Sequence, residues 1–253
     1  MESGSRIRAI PAGPDAVLPQ AGSGCIGVLM LDTRFPRWPG DIGHPASFGV
    51  PVRHVVVPGA WPASVVTSAG ELRRSGLLAA FVEAARALAE QGVQAITTSC
   101  GFLVLFQPEL QAAVPVPVAT SSLLQLPALL ERDRRVGVLT ISADRLGEEH
   151  LMAAGVPRER LPDIAVQGVD PHGAFARGIL GNQLWLDRNQ ACAEVVSAAV
   201  ALREREPGLR ALVLECTNMP PHAGAIRSAT GLQVLSLLDE PRLRPAAGSH
   251  LRG

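Results

Sequence analysis

The sequence predicts an α/β protein of two similar halves, each a mainly parallel sheet flanked by helices. Three observations carry this. Short apolar, β-branched runs alternate with Ala- and Leu-rich stretches of helical period, the pattern of βα units around a parallel sheet. The order of these runs then recurs along the chain at offsets of about 110 to 116 residues. Finally, 47% of the 253 residues are apolar, enough to build the core of one large or two small domains.

The strands come in corresponding pairs. Residues 25–31 (CIGVLML) are answered by 135–141 (RVGVLTI), 93–100 (VQAITTSC) by 209–216 (LRALVLEC), and 116–121 (VPVATS) by 232–237 (LQVLSL). Between them, Leu77-Leu78, Phe81-Val82, Ala85 and Leu88-Ala89 recur at helical spacing, with Gly92 as a stop signal. In the second half Cys192, Val195-Val196 and Ala199-Val200 mark the same kind of buried stripe. Residues 32–51 are punctuated by Pro and Gly too often for helix or central strand. They follow the first strand directly, beyond its carboxyl end, where α/β proteins bind ligands. The segment is therefore a candidate lid, and its Arg34 and Arg37 are candidate partners for a carboxylate; an idle loop with solvated Arg side chains is the plainer alternative. The first half is expected over 1–120 and the second over 121–225. Residues 226–253 are expected to pack back on the first half, although the 232–237 run would equally well end the second sheet.

Composition excludes several functions. All 23 basic residues are Arg, and they balance 23 acidic ones, so nothing electrostatic favours nucleic acid or an anionic membrane as partner. Without Lys there is no Schiff base for pyridoxal phosphate and no GxxxxGK[ST] phosphate loop. Tyr is absent as well, so no phenol acts as acid or base. The first two dozen residues lack the apolar stretch of a signal peptide, and no run approaches the ~20 apolar residues of a membrane span. The expectation is a cytoplasmic protein acting on a small molecule without cofactor. The cysteines, at 25, 100, 192 and 216, form no CxxC pair, and no Cys/His cluster has metal-ligand spacing.

Two of these cysteines carry the chemistry. Cys100 and Cys216 close equivalent runs, each at the end of the third strand of its half. Were the halves related by a pseudo-dyad, both thiols would enter one cleft from opposite sides. One would remove an α-proton while the other delivered a proton to the opposite face. A free thiol titrates near ~8.5, close to the operating pH that acid–base catalysis favours. Gly101 follows one thiol and Thr217-Asn218 the other, in turns whose N–H groups would face a carboxylate or a thiolate. Asp32, Thr33, Ser121, Thr140 and Thr217 are further candidates to bind carboxylate, amide or ammonium groups. Cys25 and Cys192 read as structural.

The motifs TTSCGF (97–102) and LECTNMP (214–220), with the Gly-Val-Leu strands opening each half, resemble the aspartate/glutamate/hydantoin racemase superfamily over most of 25–240. The second motif is similar to the Cys-Thr-His-Tyr-Pro of glutamate racemases. Cys216 and Thr217 carry over; Asn218 stands where that branch has His, so the assisting His is missing. Asp32-Thr33 lie where the family has Asp-Ser beside its first Cys, which implies a supporting role. The resemblance implies two α/β domains with the active site between them, usually in a dimer. It also implies a cofactor-independent racemase inverting the α-carbon of a small amino acid or a hydantoin. The related arylmalonate decarboxylases, which keep one catalytic Cys, and maleate isomerases are the rival enzymes. A non-catalytic small-molecule binder and a redox dithiol are rivals of other classes.

Overall fold

The computed structural model describes residues 8–9 and 24–244. Among the described residues nine strands form two sheets. The first contains β1 (Arg8–Ala9), β2 (Ile26–Met30), β3 (Val52–Val56), β4 (Ala95–Thr98) and β5 (Val118–Ala119) in the order β1-β3-β2-β4-β5. The second contains β6 (Val136–Thr140), β7 (Ile164–Gly168), β8 (Ala211–Leu214) and β9 (Gln233–Leu235) in the order β7-β6-β8-β9. All pairings are parallel except β1 with β3. From β3 onward the strand order of the first sheet repeats in the second.

Sheet position explains the composition of the strands. β2, β4, β6 and β8 are buried along their whole length, as inner strands of a parallel sheet covered on both faces must be. β3 and β7 are only partly buried and accordingly carry Arg53, His54 and Gln167. The helix Leu77–Glu90 buries Phe81, Ala84, Ala85 and Leu88. It is followed by Gly92 at φ 77°, a left-handed stop that residues with a Cβ adopt reluctantly. The long helix Arg188–Arg205 buries Ala191, Val195, Ala198, Ala199 and Leu202. Its inward face is thus rotated from the predicted stripe, and Cys192 is half-buried at its margin.

One hydrophobic core runs through both halves, and a smaller cluster covers the other face of the first sheet. In that cluster Ile26, Val28 and Met30 of β2 meet Ile42 from the loop and Leu237 and Leu243 from the C-terminal segment. Of residues 226–253, expected to return to the first half, 245–253 lie outside the described residues and the rest divide. The helix Ala223–Thr230 leads into β9, which pairs with β8; only the turns from Leu237 onward cross. Two things decide the division: β8 has an open edge for β9 to extend, and beyond it Leu237 and Leu243 find the apolar face of β2. Among the described residues no helix is long and apolar enough to cross a membrane.

Candidate active site

Both cysteines leave the carboxyl end of a central strand. β4 ends at Thr98 and, after Ser99 and Cys100, the chain enters a 3-10 turn over Gly101–Phe106. β8 ends at Leu214 and is followed by Glu215, Cys216 and Thr217. The two turns meet. Thr217 Oγ1 donates to the Ser99 carbonyl (2.6 Å), Ser122 Oγ donates to the Leu214 carbonyl (2.7 Å), and Ser99 Oγ accepts from Leu31 N (2.9 Å). Cys100 and Cys216 consequently line one cavity of about 20 Å³, room for roughly one water molecule. Leu31, Phe35, Pro62, Val66, Phe102, Ile141 and Ile179 make its wall largely apolar, and Ser99, Gly101, Glu215, Thr217 and Asn218 complete it.

Dryness dominates the electrostatics. Burial pushes both thiols well above the ordinary cysteine range, and the Glu215 carboxylate adds to the effect on each. The opposing influences differ between the two. At Cys100 the backbone N–H groups of Phe102 and Leu103 and the Arg37 guanidinium favour the thiolate. At Cys216 only the Asn218 N–H does so, while Cys100 and Asp41 oppose it. The predicted proximity to neutral titration is thus not a property of these buried thiols: a desolvated thiol stays protonated.

Glu215 sits between the halves. Its carboxyl is 1% exposed, and burial raises it to about 7 although Thr140 Oγ1 donates to its Oε2 at 2.7 Å. Oε1 is buried without a hydrogen-bond partner. Gly101 is what lets this carboxyl lie so close to the other turn. A Cβ there would fall 2.3 Å from Oε1 and 2.4 Å from the Glu215 carbonyl oxygen.

The loop 32–51 is clamped over the second turn. Ile42 N donates to the Thr217 carbonyl (3.1 Å) and Asn218 Nδ2 to Asp41 Oδ2 (2.7 Å). Asp41 Oδ1 pairs with Arg37 Nη1 at 2.5 Å and accepts from Gly43 N at 2.7 Å. Arg37 also donates to Thr33 Oγ1. Asn218 Oδ1 accepts from Cys216 Sγ at 3.7 Å, so one amide links the loop's ion pair to the second thiol.

Of the residues singled out in the sequence, Cys100, Cys216, Gly101, Thr217 and Asn218 line the cavity. The others lie around it. Thr140 holds Glu215. Ser121 caps the turn Ser122–Gln125 by accepting from Leu123 N. Asp32 accepts from Gly59 N at 3.4 Å, and Thr33 supports Arg37. Arg34 is exposed, and the Arg37 guanidinium is committed to Asp41. Glu215 and Asp41 escaped the sequence reading. For Glu215 a signal existed, an acid directly after the apolar run 211–214 and before Cys216; for Asp41 there was none.

Residues 80–239 match the model of the Asp/Glu/hydantoin racemase family. Dimethylsulfoniopropionate lyase 3 of Emiliania huxleyi (strain CCMP1516) is 32% identical over 261 residues, covering 94% of this chain and 67% of its own. The dimethylsulfoniopropionate lyase of Durusdinium sp. clade D is 32% identical over 238 residues, covering 88% and 74%. Arylmalonate decarboxylase shares the fold, with a TM-score of 0.52 at 17% identity over 83% of this chain and 86% of that one. With well over half of its length matched by the family model, in strands that carry both thiols into one cavity, the chain belongs to the Asp/Glu/hydantoin racemase family.

Proposed function

We propose that this protein is a lyase that cleaves dimethylsulfoniopropionate, or a close sulfonium carboxylate, by β-elimination. A thiolate removes the proton α to the carboxylate and the electron pair forms the C=C bond. The C–S bond breaks and the sulfide leaves with its bonding pair. The products are acrylate, dimethyl sulfide and a proton that passes from the thiol to solvent. The observation that carries the reading is the pair of thiols in one small, mainly apolar cavity, in a chain at least 30% identical to such lyases over most of its length.

The electrostatics support this choice of substrate. An opposite charge close by favours an ionised group, so a sulfonium brought beside a buried thiol offsets the desolvation that keeps it protonated. Cys100 is the better candidate base, having two N–H groups and Arg37 to stabilise its thiolate, where Cys216 faces Asp41. The cavity accommodates about one water as it stands, so entry of the substrate requires its wall to part. Incubation with dimethylsulfoniopropionate should release dimethyl sulfide to the headspace and equimolar acrylate to solution. Absence of both would overturn the proposal.

A second reading is favoured by there being two thiols rather than one: racemisation of a small amino acid or a hydantoin, with Cys100 and Cys216 as paired base and acid. Loss of optical rotation from a single enantiomer, without dimethyl sulfide from the sulfonium substrate, would decide for it.

A further inference from the structure

We propose that Glu215 is kept as a neutral carboxylic acid whose Oε1–H donates a hydrogen bond to the substrate carboxylate and to the enolate formed as the α-proton leaves. The proposal rests on the reading of the substrate as a carboxylate deprotonated at its α-carbon, and adds the group that receives the developing charge.

The hydrogen-bond inventory points to it. A protonated carboxyl has one oxygen that only accepts and one that also donates. Oε2 accepts from Thr140 Oγ1, which leaves Oε1 to carry the proton, and buried Oε1 has no partner among the described residues although Glu215 lines the cavity. Of the other polar side chains of the wall, Thr217 Oγ1 is engaged with Ser99, Asn218 Nδ2 with Asp41, and Ser99 Oγ accepts from Leu31 N. Gly101 keeps the approach to Oε1 free of a side chain.

Charge leads to the same assignment. A carboxylate at Glu215 would face the substrate's own carboxylate in a dry cavity, and two like charges there repel with little screening. A neutral acid offers a donor instead, and its bond strengthens as negative charge grows on the substrate oxygen. Apolar surroundings are a known means of keeping a carboxyl protonated for this purpose. The titratable groups facing Glu215 are Cys216 on its own segment and Cys100 on the opposing turn, and the Arg37–Asp41 pair of the loop lies beyond them, Arg37 toward Cys100 and Asp41 toward Cys216. The thiols titrate far above neutrality. His150, against Phe102, and His222, below the second turn, are held at about 4. A proton linkage near 7 therefore belongs to Glu215.

The test uses propionate, which binds as a carboxylate but has no leaving group. Titration calorimetry across the neutral range, in buffers of different ionisation enthalpy, reads affinity and proton uptake together. In the wild type the affinity should fall towards tenfold per pH unit above about 7, with uptake of one proton there. Glu215→Gln, which keeps a neutral donor, should bind propionate without that slope. Should Glu215→Gln fail to fold, infrared spectroscopy of the wild type provides the second measurement. A protonated carboxyl band should titrate out near 7 and shift when propionate binds. No propionate binding, a pH-independent affinity, a slope retained in Glu215→Gln, or an unshifted band would each overturn the assignment. A propionate slope without cleavage of the sulfonium substrate would instead retain Glu215 and remove the lyase reading.

Discussion

Replacing Gly101 by Ala tests whether the contact between the two cysteine turns sets the site. The new methyl carbon would lie 2.4 Å from the Glu215 carbonyl oxygen, where ordinary contact begins at 3.4 Å. A side chain could turn away, but this oxygen belongs to the backbone, and Glu215 N is tied to the Leu139 carbonyl at 2.8 Å. The turn bearing Cys100 must therefore retreat by about 1 Å, the difference between those two distances. Overpacking of this kind costs about 1–3 kcal/mol, and in a chain of this size each kcal/mol lowers Tm by roughly 2–4 °C. A displacement of ~1 Å at reacting groups can cost 10²-fold in rate, so activity should fall further than stability alone would lower it. Gly224, in the helix Ala223–Thr230 with open space around it, is the control. There Ala should be neutral or stabilising by up to ~1 kcal/mol. Thermal melts and initial rates of dimethyl sulfide release measure both effects. A Gly101→Ala protein with wild-type Tm and wild-type rate would refute the argument.

The remaining predictions concern the thiols, the loop clamp and the acid limb of stability. Cys100→Ala should slow elimination by about 10²–10⁴, the contribution of a general base, and Cys216→Ala by less, since elimination needs one base. Cys25→Ala and Cys192→Ala should leave rates within a few-fold, and equal, complete losses at 100 and 216 would favour racemase-type pairing. Asp41→Ala leaves the Arg37 guanidinium buried without its partner and should destabilise by about 3–5 kcal/mol, with faster hydrogen exchange in residues 32–51. His150 is fully buried with neither ring nitrogen paired, and burial lowers it to about 4. Below its ordinary 6.5 the unfolded chain takes up a proton that the native one refuses, so stability is lost as pH falls from about 6.5 towards 4. That loss approaches about 3 kcal/mol. His150→Leu should reduce the difference in Tm between pH 7 and pH 5, and an unchanged difference would contradict the assignment.

What was legible in the sequence was whatever burial on both faces imposes. β2, β4, β6 and β8 are inner strands, so their apolar runs stand out, and their repetition exposed the equivalence of Cys100 and Cys216. β3 and β7 were not legible, because strands with partly exposed residues admit Arg53, His54 and Gln167 and lose the pattern. In the segment after 225 the run 232–237, which repeats 116–121, announced the strand β9, whereas the crossing of Leu237 and Leu243 to β2 has no counterpart in the repeat. The site's polar groups were harder still. Asn218 and Asp41 are 177 residues apart in the chain, and neither neighbourhood announces the other. Arg37 looked free to bind a carboxylate because its partner Asp41 is the acid of an unremarkable loop, and only the folded clamp shows it committed.

In the neutral range the thiols of the cavity are protonated, Glu215 is near its midpoint, and Arg37 and Asp41 neutralise each other. In the proposed elimination the ionisation comes with the substrate, and a zwitterion supplies both halves of the requirement. A sulfonium beside Cys100 lowers the cost of the thiolate, and a carboxylate beside Glu215 raises the value of keeping that carboxyl protonated. The base is then generated where the leaving group is, and the donor is retained where negative charge will accumulate. An exposed thiolate would be reactive toward every electrophile and oxidant in its surroundings. Burial suppresses that reactivity until a ligand of the right charge pattern arrives. In the proposed reaction the tight junction of Gly101 with Glu215 and the clamp of Asp41 on Asn218 therefore serve selectivity as well as stability, because they hold the two thiols in a cavity with room for about one water.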